Sequence, residues 1–247
     1  MVLRAIRGAI GFLTTLPVGQ TGEAWDAFAD RPASMVTVGY VLGVLITIPL
    51  LLPLPGPISG FGFVLAIGIF AGINNIDGLL DVADGVATHG DADDARKAMK
   101  DSDVGVAAVL TLGLLLVGLF AVGMTLAGGG VRVIALVVAA EVGAKLGMVV
   151  VVARGSASHT GLGSALSSST DEYTAPLGLL LATPAVFLSV PHPAAGLAVL
   201  TGLLTGLAVE RWASERLGGI SGDVLGATNE LARLAGLLMG VIAWTLL

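Results

Sequence analysis

Asp77, Asp81 and Asp84 stand at spacing i, i+4, i+7 within the stretch 74–105, NNIDGLLDVADGVATHGDADDARKAMKDSDVG. On an α-helix that spacing lines three carboxylates along one stripe. The residues between them include Ile76, Leu79, Leu80, Val82 and Ala83, so the segment is not a solvated acidic face. Three like charges on one stripe repel one another, and a hard divalent cation held through oxygen is the usual relief. The pattern therefore predicts a metal-dependent site. Asp101, where the next apolar segment begins, is expected as a further ligand. Gly78 and Gly85 each follow an aspartate, where a glycine lets a helix or a phosphate approach the backbone closely.

Other polar segments offer supporting groups. Residues 218–230, GGISGDVLGATNE, surround Asp223 with Gly218, Gly219, Gly222 and Gly226. Such a loop suits a phosphate held by backbone N–H groups. In residues 90–100, Asp91, Asp93 and Asp94 open a short helix, and Lys97, Lys100 and the distant Arg216 are expected to steady phosphates. The Ser/Thr/Gly-rich stretch 154–174 reads as a mobile substrate-binding loop. His89 and His159 read as surface histidines. Glu141 and Lys145, at i, i+4 inside an apolar segment, either pair with each other or line a cavity open to the polar face.

The elements that carry these residues are membrane helices. The chain is 55% apolar and only 12% charged, with mean hydropathy +0.94, against about 25% charged in a soluble domain. Seven apolar segments are long enough to span a bilayer, at about 33–52, 58–75, 104–127, 131–153, 175–190, 193–209 and 231–247. The expected fold is all-α: one polytopic transmembrane helical bundle, a single domain over 1–247. The short connections 53–57, 128–130 and 191–192 are almost uncharged. The long ones, 76–103, 154–174 and 210–230, share one side with the N-terminus and hold nearly all the charge. The positive-inside rule assigns that side to the cytoplasm of a cell membrane, with the active site on it. The first residues, MVLRAIRGAIGFLTTLPV, read as a retained amphipathic or re-entrant helix, and 19–31 as an interfacial helix with Trp25 and Phe28 at headgroup level. A glycine-rich stretch at 196–206 permits close packing of helices, or of subunits in a homo-oligomer. With 12 basic residues and net charge −6, a nucleic-acid partner is not expected. Cysteine is absent, which excludes disulfides and thiolate metal sites.

The strings DGLLDVADG at 77–85, MKDSDVG at 99–105 and GGISGDVLGATNE at 218–230, in this order, resemble the cobalamin synthase family. FLTTLPV at 12–18 is similar to that family's opening, and GLG at 161–163 falls at a similar tripeptide. Where the family usually has histidine this chain has Asn75, and Thr15 and Asp103 stand where it usually has arginine. The resemblance implies a membrane transferase, adenosylcobinamide-GDP ribazoletransferase, in which a ribose hydroxyl of α-ribazole or its 5′-phosphate attacks the phosphate joined to adenosylcobinamide and GMP leaves. It implies Mg²⁺ held by Asp77, Asp81, Asp84 and Asp101, with Asp223 completing the catalytic carboxylates and Lys97, Lys100, Arg216 and Gly222 at the phosphates.

Other readings fit less well. A CDP-alcohol phosphotransferase would need a small residue at Asp81 and an arginine after it. A prenyltransferase would repeat its aspartate motif, and GGISGD is a poor copy. An ion-coupled transporter would place its acids near the midplane, whereas these gather at one face.

Overall fold

The computed structural model describes residues 1–247. It is built of helices: α1 (Val2–Leu13), α2 (Gly22–Ala29), α3 (Met35–Leu51), α4 (Gly56–Ala71), α5 (Asn74–Ala87), α6 (Ala92–Ala98), α7 (Val106–Leu126), α8 (Val131–Arg154), α9 (Leu162–Ser167), α10 (Thr174–Val186), α11 (Ala194–Arg216) and α12 (Gly222–Leu246). Five are long and apolar enough to cross a membrane: α3 with the 3-10 turn before it, α7, α8, α11 and α12. A sixth crossing is possible if α4 and α5, bent by 98° at Gly72–Ile73, count as one. The expected seven therefore become five or six. The difference lies in two places. The segment expected at 58–75 breaks at Gly72, whose φ of 73° takes the chain out of the helix. The segment expected at 175–190 yields only the 13 residues of α10, about 20 Å of helix against a hydrocarbon core of ~30 Å.

Close helix contacts fix the directions. A Cβ built on Gly39 would lie 2.7 Å from Val142 Cα, and one on Gly43 would lie 2.7 Å from Val138 Cα, so α3 and α8 run antiparallel. Gly143 and Gly147 of α8 meet Gly202 and Gly206 of α11 in the same order, so these two helices run parallel. The glycines of 196–206 are thus spent inside the chain. Because α8 and α11 point the same way, residues 155–193 must return from one end of the bundle to the other, and α10 lies on that return. Gly60 against Phe120 and Met124 makes α4 and α7 antiparallel. The starts of α3, α7 and α12 and the ends of α8 and α11 then gather at one end, called here the polar end.

α8 is the central helix, with 18 of its 24 residues buried. α12 runs antiparallel to it, and the two are joined by charge. Arg233 Nε and Nη2 donate to Glu141 of α8, and Arg233 Nη1 donates to Glu230. Lys145 Nζ donates to Asn229 Oδ1 and lies 3.6 Å from Glu141 Oε2. All five side chains are at most 1% exposed. Two acids and two bases sum to zero, which is the condition under which charges persist in an apolar interior. Glu141 and Lys145 therefore pair, as one of the two sequence readings held, but within a larger cluster. Glu230, expected in the connection 210–230, lies inside the bundle with Arg233.

α1 and α2 pack together at the polar end. Phe12, Trp25 and Phe28 form a cluster with centroids 5.1–5.7 Å apart. Phe28 is fully buried and Trp25 partly exposed, so the aromatic residues of α2 anchor α1.

Removing one partner of a buried ion pair costs about 3–5 kcal/mol. Arg233→Met should therefore lower stability by that order in a denaturant titration of the protein in micelles. Glu141→Gln combined with Lys145→Met keeps the charge sum at zero and should cost less.

Candidate active site

α5 brings its acids to the polar end by packing on the first turns of α12. A Cβ on Gly78 would lie 2.8 Å from Asp223 Cα, and one on Gly226 would lie 2.9 Å from Asn75 O. The two helix backbones touch through these glycines. Gly226, expected in a phosphate loop, is instead a helix contact, because α12 begins at Gly222 and not near 231. Its N-cap is Ser221, whose Oγ accepts from Val224 N at 3.3 Å and donates to Asp223 Oδ2 at 3.2 Å.

The turn before α12 is held on three sides. Ile220 N donates to Ser156 O at 2.8 Å, and Ser158 N donates to Ile220 O at 3.0 Å. Arg96 Nη1 of α6 donates to Leu217 O. Gly219 has φ of 146°, and a Cβ there would lie 2.3 Å from Ser156 O, so only glycine fits. Gly219 N donates to Ala213 O. The N–H groups of Gly219 and Ile220 are therefore committed to the protein. The amides this segment still offers an anion are those of Gly218, Ser221, Gly222 and Asp223, the last two in the first turn of α12.

The five expected carboxylates separate into three kinds. Asp77 and Asp223 border one cavity of about 320 Å³ between α1, α5, α9 and α12. Asp81, one turn further along α5, feels both of them. Burial first, and then the charges of Asp223, Asp77 and Asp84, push its carboxyl up to about 6. Asp84 has a different duty. Its Oδ2 accepts from Gly105 N at 2.8 Å and its Oδ1 from Ala108 N at 3.1 Å, so it caps α7 from outside that helix. A Cβ on Gly105 would lie 2.3 Å from Asp84 Oδ1, so any larger residue there would displace the capping carboxylate. Asp101 is exposed, with Oδ1 accepting from Asp103 N at 3.1 Å, and it is not among the charges acting most on Asp81.

The expected phosphate-binding residues also separate. Lys100 lines a small cleft with Arg96, Ser158, His159 and Asp223. Lys97 is exposed and lies 3.5 Å from Asp94. Arg216 lines a second cleft with Gly85, Asp91 and Trp212, at the far end of α5. Gly222 lies on the Asp223 cavity. His159, read from sequence as a surface histidine, is exposed but shares the cleft of Asp223, with Nδ1 2.9 Å from Ser158 Oγ. Apart from Ser158, the residues that share its cleft lie about 60 residues away along the chain, so no local signal marked it.

No three acidic or histidine side chains converge closely enough to form a ready-made metal site. The donor chemistry nevertheless suits a hard cation. Asp77, Asp81 and Asp223 are all oxygen donors, and their mutual repulsion is what a bound cation would relieve.

The match to a family model decides the affiliation: residues 5–241 fit cobalamin-5-phosphate synthase. The chain belongs to this family. Curated relatives share its whole length. One named adenosylcobinamide-GDP ribazoletransferase, from Halorubrum lacusprofundi, is 46% identical over 99% of each chain. Proteins of the same name from Haloquadratum walsbyi and Methanocella arvoryzae are 42% and 34% identical, covering all of both chains in the first case and 98% and 97% in the second. No solved structure matches the chain.

Two consequences are measurable. In metal-free buffer the folded protein holds a proton on Asp81 at higher pH than the unfolded chain does. Stability should therefore fall as pH rises from about 3.9 to about 6. Asp81→Asn should raise the melting temperature at pH 7.5, with the advantage gone below pH ~4. Mg²⁺ should raise the melting temperature of the parent protein at pH 7.5 and do so much less in Asp81→Asn. Separately, Gly78→Leu should push α5 off Asp223 and lower kcat at least about tenfold, because a displacement of ~1 Å at a reacting centre can cost 100-fold.

Proposed function

We propose that this protein performs the reaction named for its relatives, joining ribazole to adenosylcobinamide with release of GMP. The observation that carries the reading is the meeting of Asp77, Asp81 and Asp223, from two distant segments, at one end of a membrane bundle. It is supported by full-length similarity to proteins that bear that name.

The reaction is phosphoryl transfer at a diphosphate. A ribose hydroxyl oxygen of α-ribazole, or of its 5′-phosphate, attacks the phosphorus joined to adenosylcobinamide. A new P–O bond forms, the P–O bond to the GMP phosphate breaks, and GMP departs with the bonding pair. The hydroxyl proton passes to Asp77 or Asp223, the acids that border the cavity. Asp84 is a poor candidate for that proton, since both its oxygens are occupied at α7. Such transfers depend on positioning and charge neutralisation more than on covalent help. Mg²⁺ held by Asp77, Asp81 and Asp223 would neutralise and polarise the diphosphate when bound. Lys100, in the neighbouring cleft that Asp223 also lines, and the first-turn amides of α12 would steady the departing phosphate.

The polar end carries nearly all the Lys and Arg outside the bundle interior, while only Arg132, in the first turn of α8, lies at the opposite end. By the positive-inside rule the site faces the cytoplasm of the cell membrane, where nucleotide substrates are available.

The test is direct. The protein in micelles or nanodiscs, given adenosylcobinamide-GDP, α-ribazole and Mg²⁺, should release GMP in step with corrinoid product. Asp81→Ala and Asp223→Ala should each lower kcat by about 100-fold or more, the scale seen when one charge-stabilising group is removed. Absence of GMP from the parent protein, or full activity in Asp81→Ala, overturns the reading.

A further inference from the structure

The cavity beside Asp77 and Asp223 has a lining at odds with a phosphate site. Its walls include Phe12, Leu13, Met35, Met148, Leu162 and Leu166, drawn from α1, α3, α8 and α9. The lone amide on its wall that is both polar and deeply buried is Asn75. The residue is 9% exposed, its side-chain amide hydrogen-bonds to no protein group, and its backbone is pressed against Gly226. The Asn75 amide opens onto accessible space rather than being sealed away, so it is available to a ligand that enters the cavity. The cavity thus has an apolar body, one unsatisfied amide on its wall and two carboxylates at its border.

We propose that this cavity holds the base of the acceptor nucleoside, an apolar bicyclic heteroaromatic ring, with the Asn75 amide donating to the ring's free nitrogen. The inference rests on the ribazole-transfer reading and specifies which substrate occupies this place. Size and polarity decide among the groups that reaction involves. Ligand pockets run from roughly 300 to 1,000 Å³, and this one, at about 320 Å³, accepts a bicyclic ring but not a corrin macrocycle. Guanine would fit by size, yet its edge carries several donors and acceptors that the apolar walls would leave unpaired. Dimethylbenzimidazole, the base of α-ribazole, presents methyl-bearing carbon edges and one unsubstituted ring nitrogen. With the base inserted, the ribose lies at the border, where Asp77 and Asp223 face its hydroxyls. The corrinoid and guanosine portions of the donor are left to the open polar end, on the side of Lys100 and His159.

Binding and turnover separate this proposal from the reading beneath it. Calorimetry with the full chain in nanodiscs, without donor, measures α-ribazole affinity directly. Leu162→Trp, at a partly exposed wall position, should weaken that affinity at least tenfold while the KM for adenosylcobinamide-GDP stays within twofold. The parent protein should also prefer α-ribazole about tenfold over the riboside in which the free ring nitrogen is replaced by CH, the scale of one hydrogen bond to a buried amide. In Asn75→Leu the two ribosides should bind equally. The ring-nitrogen comparison in the parent protein needs no variant to fold. Equal binding of the two ribosides by the parent protein, failure to bind α-ribazole, or a folded Leu162→Trp that binds it unchanged overturns the cavity assignment. If α-ribazole binds and the variants respond as stated but no GMP forms with both substrates, the cavity assignment stands and the transferase reading falls.

Discussion

The structure depends on a neutral knot of charge buried between α8 and α12. Arg233 reaches both Glu141 and Glu230, and Lys145 reaches Asn229 and Glu141. Such a cluster tolerates little sliding or rotation, because any movement that breaks one contact leaves a charge bare in an apolar interior. It therefore sets the height and rotation of α12 against the central helix. Asp223 lies ten residues before Arg233 on that helix, about 15 Å along it, and inherits its position from the knot.

The second constraint is the absence of side chains where α5 meets α12. With Gly78 on Asp223 and Gly226 on Asn75, the two backbones come into contact. The nearness that results places Asp77 and Asp81 within electrostatic reach of Asp223. The structure bears that repulsion, visible in the raised proton affinity of Asp81. Energy gained in the apolar bundle offsets it.

Much of this was legible along the chain. The spacing of Asp77, Asp81 and Asp84 announced a helix with an acidic stripe, and α5 is that helix. The charge segregation placed the chemistry at one end of an all-α membrane bundle. What misled was locality. Asp84 looked equivalent to its two neighbours, yet the start of α7 claims it through Gly105 and Ala108. Residues 222–230 looked like a glycine loop, yet they are the first turns of α12, because Gly226 is shaped to fit Asn75 and Ser221 caps the helix. His159 carried no local sign at all, since its neighbours come from α6 and α12.

By itself the sequence determined composition, periodicity and the inventory of chemical groups. These settle helix or loop, membrane or water, and which oxygens exist to meet a cation, because each depends on neighbours within a few turns. Only the tertiary structure decided which groups share a site. It drew Asp223 to Asp77 and Asp81, withdrew Asp84 to a helix cap, left Asp101 exposed and paired Glu141 with an arginine 92 residues away. The physical reason is that proximity between segments is set by backbone contact at glycines and by neutralisation of buried charge, and both are properties of a pair of helices that neither helix carries alone.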